Sequence, residues 1–473
     1  MKNEIVIGLE VHVQLKTKSK LFCGCSTEFG ADPNANTCPV CMGWPGTLPV
    51  LNRRAVEFGM LAALSLNCEI NQDIKFDRKN YFYPDLPKAY QISQYDMPLA
   101  EEGQVEVELD GEKAVVGIER LHLEEDAGKL VHSTAGAESY VDYNRTSVPL
   151  AEIVTKPDIT SPEQAEVFLR SLKQRMEYLE VSDCNMEEGS LRCDANLSVR
   201  TPEGELGTKT EVKNMNSFKG VRKALAYEAQ RQKKVLSSGG EVVQETRLWD
   251  ESEQITREMR SKEEAHDYRY FPEPDLVPVK IDSKWQSEVK QCLPEMPEEK
   301  YERFQAEYDL SDEATQTLTA SRPLADFFER ALTGDVSPRS VSNLIIADLK
   351  REMNERDWTI NDVNITPENL AALARMFEED VISSNVCSEL IAELVESGGD
   401  PEAIVEERDL KQISDAGELE AIIDEVINEN PDAVEDIRSG ADQAIGFLIG
   451  QVMQKTQGQA DPGQARKMLQ ERV

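Results

Sequence analysis

Two short cysteine pairs, Cys23-Gly-Cys25 and Cys38-Pro-Val-Cys41, stand twelve residues apart near the start of the chain. Brought together by one loop, they would supply the four sulfurs of a tetrahedral site, whose usual occupant in a reducing compartment is Zn²⁺. The other reading is a set of unrelated buried thiols. Four thiolates leave no open coordination position, so a metal held there is expected to be structural.

Glu10 and His12 lie two residues apart in an alternating segment and therefore project from one face of a strand. A strand histidine is often a satisfied structural group, and a carboxylate on the same face leaves a metal or phosphate-handling role equally open. Glu124-Glu125-Asp126 at the end of another strand reads either as a solvated turn or as a ligand set. Arg78-Lys79-Asn80-Tyr81-Phe82-Tyr83-Pro84-Asp85 interleaves cations with aromatics, a mixture suited to a carboxylate, a phosphate and a stacked base, or to an ordinary strand edge. Lys209-Thr210-Glu211-Val212-Lys213-Asn214 ends a strand and opens a basic helix, where lysines and free backbone N–H groups make a phosphate site. No G-x-x-x-x-G-K-[ST] loop occurs, so any nucleotide binding is not of the P-loop kind.

The elements that must position these groups are legible as patterns. Ile5, Ile7, Leu9, Val11, Val13 and Leu15 alternate with Val6, Gly8, Glu10, His12 and Gln14, predicting a half-buried strand. Val105 to Leu109, Asp110-Gly111 and Ala114 to Ile118 predict a tight hairpin. Ser161-Pro162 with Gln164 announces a helix carrying Phe168, Leu169, Leu172, Met176 and Leu179 on one face. Strands are expected around 191–200 and 207–212, followed by a helix from about Ser217 to Gly239-Gly240. Beyond Pro294 the periodicity is helical almost throughout, as in Thr366-Pro367-Glu368-Asn369 leading into Leu370, Leu373 and Phe377. The expected fold class is α+β: a largely antiparallel β cradle with helices over 1–294, an all-α linker domain over 295–400 and a small all-α tail over 401–473.

Composition narrows the partners. The 473 residues carry a formal charge of −37, and nine cysteines without a secretory leader or membrane span suggest reduced thiols and a cytoplasmic location. Such acidity ordinarily excludes a nucleic-acid partner. Its distribution does not, because Lys209, Lys213, Lys219, Arg222, Lys223, Arg231, Lys233 and Lys234 face only Glu211 and Glu228 within one segment. The surplus of carboxylates is consistent with a saline cytoplasm or with solubility alone.

Taken in order, Gly8-Leu-Glu10-Val-His12-Val-Gln14, Asn80-Tyr-Phe-Tyr-Pro-Asp-Leu-Pro87, Leu123-Glu-Glu-Asp126-Ala-Gly128-Lys, Asp142-Tyr-Asn-Arg145, Glu152-Ile-Val-Thr-Lys-Pro-Asp158, Gly189-Ser-Leu-Arg192-Cys-Asp194-Ala-Asn196 and Glu211-Val-Lys-Asn-Met-Asn-Ser-Phe218 resemble segments of the B subunits of bacterial aspartyl/glutamyl-tRNA(Asn/Gln) amidotransferases. That resemblance implies an ATP-dependent carbon–nitrogen ligase using glutamine as amido donor. It would phosphorylate the side-chain carboxylate of Glu-tRNA(Gln) or Asp-tRNA(Asn) and amidate it with ammonia channelled from a glutaminase A subunit, with a small C subunit bracing the pair.

It further implies Mg²⁺ held by Glu10, His12 and Glu125 with Glu211 nearby, and Lys79 and Asp194 along the ammonia or phosphate path. Chemical sense adds Lys79, Arg192, Lys209 and Lys213 as contacts for ATP or acyl phosphate. The tail resembles small tRNA-binding helical modules. Two departures stand out. Ser147 follows Asp142-Tyr-Asn-Arg-Thr146 where many relatives place glycine, which would strain a turn needing positive φ. The tail segments Ser439–Phe447 and Gln457–Pro462 carry Asp, Gln and Ser where relatives usually carry lysines. The competing reading is a zinc-containing RNA-binding or assembly protein without chemistry of its own, and a self-sufficient ligase is a third.

Overall fold

The computed structural model describes residues 4–132, 136, 138–200, 204–259, 268–412, 416–438, 443–456, 458–460 and 462–473. Ser439 to Asp442, Gln457 and Asp461 of the lysine-poor tail segments lie outside the described residues. The chain divides between Met296 and Pro297 into two compact units. The fold class is α+β, and among the described residues the strands lie in the first unit and the second holds helices alone.

The strands of the first unit, in chain order, begin with β1 (Ile5–Gln14), β2 (Glu69–Ile70), β3 (Asp73–Ile74), β4 (Asp77–Asn80), β5 (Tyr90–Ser93), β6 (Ala100–Leu109), β7 (Glu112–Glu125) and β8 (Lys129–His132). They continue with β9 (Ser139–Asp142), β10 (Pro149–Thr155), β11 (Leu191–Val199), β12 (Thr210–Lys213), β13 (Thr246–Asp250), β14 (Ile255–Glu258), β15 (Phe271–Pro272) and β16 (Val279–Lys280). Nine of them form one sheet in the order β14-β13-β12-β11-β1-β10-β7-β6-β2. The N-terminal strand thus lies near the middle, antiparallel to both β10 and β11. The sheet is mixed rather than wholly antiparallel, because β12 and β13 run parallel, Glu211 opposite Thr246. The excursion through α3 (Phe218–Ser237) supplies the long connection that a parallel pair requires.

The predicted alternation in β1 is realised: Ile7, Leu9, Val11 and Val13 are buried while Gly8, Glu10, His12 and Gln14 are half-buried. The apolar face joins α1 (Arg53–Ser65), α2 (Pro162–Tyr178) and α3 in a single core that includes Phe58, Met60, Phe168, Leu172, Val221 and Leu225. Ser161 caps α2 by accepting from Gln164 N, and the Gln164 side chain turns back to accept from Thr160 N at 2.9 Å. The β6–β7 hairpin turns through Asp110 (φ 53°) and Gly111 (φ 80°), the doubly left-handed geometry that the Asp-Gly pair favours. At the opposite end of β6, Gly103 lets the strand press against the end of α1. A Cβ there would lie 2.3 Å from Cys68 Sγ and 2.7 Å from the Leu66 carbonyl.

The second unit is built from short capped helices around two clusters. Phe304, Phe328, Leu349, Leu373, Ile391 and Val405 belong to one; Leu419, Ile423, Leu448, Val452 and Leu469 belong to the other. Thr366 and Asn369 form the reciprocal capping pair at the start of Pro367–Glu378. A π-helical turn over Ile345–Leu349 sits within the first cluster.

Gly103→Ala is expected to cost about 1–3 kcal/mol, since the added methyl meets backbone as well as sulfur and cannot be absorbed by a rotamer change. Urea denaturation checks it. An unchanged midpoint would mean that β6 and the end of α1 are not held this closely.

Candidate functional site

The half-buried face of the sheet carries a row of charge across four adjacent strands. Register places His12 on β1 opposite Arg192 on β11 and opposite Glu152 on β10, and Glu152 opposite His122 on β7. Glu152 is wedged between the two imidazoles, 3.4 Å from His12 Nε2 and 3.1 Å from His122 Nε2. Glu124, two residues beyond His122 on the same face, lies 3.5 Å from His12 Nε2 and 3.8 Å from His122 Nε2. One donor atom each from His12, Glu124 and Glu152 falls within 4.8 Å of the other two. One imidazole and two carboxylates so disposed form a donor set for a hard divalent cation with sites left open for water or phosphate oxygens.

The electrostatics of this row are mutual. Burial opposes charge on His122, but Glu152 and Glu124 outweigh it and push the imidazole up to about 9. His12 is raised in the same way, burial again being overcome by its hydrogen bond to Glu152. Desolvation works against the Glu152 carboxylate, yet the two imidazoles overcome it and hold the group well below its ordinary range. His122 Nδ1 is buried without a hydrogen-bond partner. Lys79, on β4, is close enough to this pair that burial, which works against its charge, is outweighed by Glu124 and Glu152, and the ammonium's proton affinity rises. It is flanked by the rings of Tyr268 and Tyr81, 4.9 and 5.7 Å from Nζ.

Around the row lie the remaining residues singled out from the sequence. Arg192 is clamped by buried Asp126, 3.0 Å away, which also holds Arg145. Glu10 accepts from Asn196 Nδ2 at 2.9 Å, and burial together with Glu152 and Glu211 raises its carboxyl. Lys213 bridges Asp194 and Glu211, and Glu211 accepts from Thr246 at 2.7 Å. A cleft of about 300 Å³ opens beside Glu10, lined by Gly8, Thr155, Asn196, Leu206 and exposed Lys209.

Glu125 departs from its expected place. Successive strand residues face opposite sides, so the one-residue offset that turns Glu124 toward His12 turns Glu125 away. It is fully buried against Lys88 at 2.5 Å, accepts from Ile92 N at 2.8 Å and accepts a further hydrogen bond from the Ser147 hydroxyl. The structure therefore groups Glu124 and Glu152 with His12 and turns Glu125 to the other side, while Glu211 lies near enough to Glu10 to raise its carboxyl. Sequence reasoning passed over His122 and Glu152. The spacing of His122 and Glu124 repeats that of Glu10 and His12 and was the available signal.

The four cysteines do converge, their sulfurs all within 4.8 Å of one another. Cys38 and Cys41 Sγ are 3.9 Å apart, close to the roughly 3.8 Å edge of a tetrahedron with 2.3 Å Zn–S bonds. Ser19 and Ser26 bridge across the first pair, and Cys38 N donates to Cys41 Sγ at 3.2 Å. Cys41 is lowered to about 5 by its hydrogen bond from Cys23, by Cys38 N–H and by the Lys20 ammonium, against burial, while burial pushes Cys25 up to about 11. The donor set fits a closed Zn²⁺ site.

The chain matches known proteins over nearly its whole length. Residues 5–287 match the family described as GatB/GatE catalytic domain, and 326–473 match the GatB domain. The chain is 54% identical over 475 residues to the B subunit of the aspartyl/glutamyl-tRNA(Asn/Gln) amidotransferase of Carboxydothermus hydrogenoformans, covering 99% of this chain and 98% of the relative. Identity to the protein of the same name in a Thermoanaerobacter species is also 54%, over the whole of both chains. In Brevibacillus brevis it is 53%, covering 99% of this chain and 98% of that one.

Two expectations follow from the geometry. With its pKa raised from 6.5 to about 9, His122 contributes stability that is fully present below pH 6.5 and lost as pH rises through 9. In Mg²⁺-free buffer, urea denaturation across that window should show the decline in the parent and a weaker one in His122→Asn. Parallel curves would sink the assignment. Ser147, at φ 65°, carries the left-handed strain anticipated from its replacement of glycine and offsets it through its bond to Glu125. Ser147→Ala keeps the strain and loses the bond, so it should melt below both the parent and Ser147→Gly; an Ala variant that melts with the parent would show that the bond contributes nothing.

Proposed function

The chain belongs to the family of aspartyl/glutamyl-tRNA(Asn/Gln) amidotransferase B subunits, and we propose that it is the component that activates the tRNA-borne carboxylate with ATP before ammonia attacks. The observation that carries this reading is the imidazole–carboxylate row of His12, Glu124, Glu152 and His122, bordered by Lys79 and Arg192 and by the cleft beside Glu10.

A carboxylate is a poor electrophile toward ammonia until one oxygen becomes a phosphate leaving group. In the proposed sequence the side-chain carboxylate of Glu-tRNA(Gln) or Asp-tRNA(Asn) attacks the γ-phosphorus of ATP, releasing ADP. Ammonia then adds to the acyl carbon, and phosphate departs with the C–O electron pair as the amide forms. His12, Glu124 and Glu152 would hold Mg²⁺, with Glu10 beside them. The ion, when bound, supplies charge neutralisation to the phosphoryl oxygens. Arg192, fixed by Asp126, and Lys213, fixed by Asp194 and Glu211, present cations at the same face. The cleft of about 300 Å³ lined by Gly8, Leu206 and Lys209 would take part of the nucleotide. Lys79, between Tyr81 and Tyr268, would meet the acyl phosphate or the arriving ammonia.

No glutaminase constellation is assigned to this chain, so ammonia is expected from a glutaminase A subunit, with a small C subunit completing the complex. The relatives are named as one component of a multi-part amidotransferase, which supports such an assembly. Zn²⁺ on Cys23, Cys25, Cys38 and Cys41 would brace the loop that precedes α1. The basic face of α3 and the C-terminal helices would receive the tRNA. No helix among the described residues is long and apolar enough to cross a membrane.

The test uses the assembled complex with mischarged tRNA, ATP and either glutamine or ammonium. Glu124→Gln should lower amide formation by orders of magnitude with both nitrogen sources, because activation itself is lost. Glu125→Gln should instead lower the melting temperature, since it leaves buried Lys88 without its counter-charge. Normal product from Glu124→Gln with either nitrogen source would remove the metal from this row and favour an assembling role without chemistry.

A further inference from the structure

Lys20 is among the largest fully buried side chains of the protein, with no exposed surface. Among the described residues no carboxylate comes within ion-pair distance of its Nζ. The ammonium instead donates to the Asn36 carbonyl at 2.7 Å and to the Tyr143 carbonyl at 3.4 Å, and rests 3.8 Å from Cys41 Sγ. Carbonyl dipoles solvate a cation without cancelling its charge, and a buried ammonium without an anion is costly. The nearest matter able to carry negative charge is the cysteine cluster.

The arithmetic of the cluster supplies what Lys20 lacks. Four thiolates around one Zn²⁺ carry a net charge of about −2, and the ion's own charge must be included in any such count. One buried ammonium in contact with a sulfur halves that excess. We propose that Lys20 is the built-in counter-ion of the tetrathiolate site, holding the Cys41 sulfur and retaining the metal by compensating its thiolates. It is a positioning residue acting through Cys41, not a ligand. The same side chain closes the loop between the two cysteine pairs. Asn36, whose carbonyl it grips, also donates its N–H to Asn144 Oδ1 at 2.8 Å. Asn34 N donates to Asp142 Oδ1 at 3.0 Å, and Tyr143 N returns a bond to Asn34 Oδ1 at 2.8 Å. The site is therefore fastened to the 142–144 turn as well as to its own loop, with Lys20 touching all three parts.

This inference rests on the zinc reading above, and the experiment separates the two. Full-length parent, Lys20→Met and Lys20→Gln are purified with zinc, and metal content is measured after equilibration against a graded chelator. Melting temperatures are taken with and without metal. Lys20→Met removes the charge at similar volume, and Lys20→Gln removes it while keeping an N–H donor. Both should lose zinc at chelator strengths corresponding to about 10–100-fold weaker binding, the usual cost of an outer-shell change. Their melting temperatures should fall further in the zinc-loaded state, where Lys20 faces four thiolates, than in the metal-free state, where it faces the Cys41 sulfur alone. Equal losses with and without metal, or failure of both variants to fold in either state, would make Lys20 a structural clasp and overturn the proposal. Zinc retained at the parental chelator strength overturns it too. A parent that binds no zinc would overturn the zinc reading itself.

Discussion

Glu152 sits between two imidazoles near the middle of a nine-stranded sheet, and the rest of the first unit is arranged around keeping it there. Withdrawing a carboxylate from water costs several kcal/mol per ion even after relaxation, so such a group persists only where opposite charge stands ready on rigid neighbours. Here the neighbours are adjacent strands. His12 and His122 approach from either side because β1 and β7 both pair with β10, and their positions are set by backbone ladders rather than by flexible side chains. A slip of one residue in either ladder would turn the acids into the apolar core and Leu121, Leu123 or Val11 toward solvent. The hydrophobic face of the sheet thus fixes the register, and the register fixes the chemistry.

That dependence explains what was legible in the sequence. Features with local causes could be read: the alternation of β1, the Asp-Gly turn, the Ser161 cap and the basic helix opened by Ser217. The two cysteine pairs were legible because their geometry is closed by one short loop. The members of the charged row were harder, since Glu152 and His122 meet His12 only through pairings between strands far apart in the chain. Glu152 hides within Pro149–Thr155, which otherwise reads as a continuous apolar strand. Among Glu124, Glu125 and Asp126, pattern alone offers three adjacent acids and no parity. The sheet assigns each a different partner: the imidazoles, Lys88 and the Arg145–Arg192 pair. The parallel pairing of β12 with β13 was equally invisible, because no local signal distinguishes it from a hairpin.

Ser147 and Lys20 connect the sheet to the cysteine loop. The backbone N–H of Ser147 donates to the Asp126 carbonyl and its own carbonyl accepts from Leu21 N, while its hydroxyl reaches Glu125 on the inner side. The turn that holds Ser147 is the one whose Asp142, Tyr143 and Asn144 fasten the loop between the cysteine pairs. A left-handed serine costs roughly 1–2 kcal/mol relative to an ordinary conformation, and here its hydroxyl has a use that glycine could not supply. The buried Glu125 carboxylate thereby gains a hydrogen bond from a turn outside its own strand. Loop, turn and strand ends form one continuous hydrogen-bonded framework.

The distribution of charge follows the same logic of pairing. In the basic segment, Arg222 is paired with Glu166, Lys223 approaches Glu251 at 3.8 Å, and Arg231 is fixed by buried Glu228. Lys219 and Lys234 remain exposed. For the proposed tRNA partner this means that phosphates meet fewer free cations than composition suggests, and some must displace an existing carboxylate. With a net charge of −37 on the whole chain, long-range attraction of an RNA is weaker than the basic segment alone would give. Cations held in fixed positions by a carboxylate partner, such as Arg192 by Asp126 and Lys213 by Asp194, are found at the row itself, where a short-range contact to a phosphate keeps its strength despite the chain's overall charge.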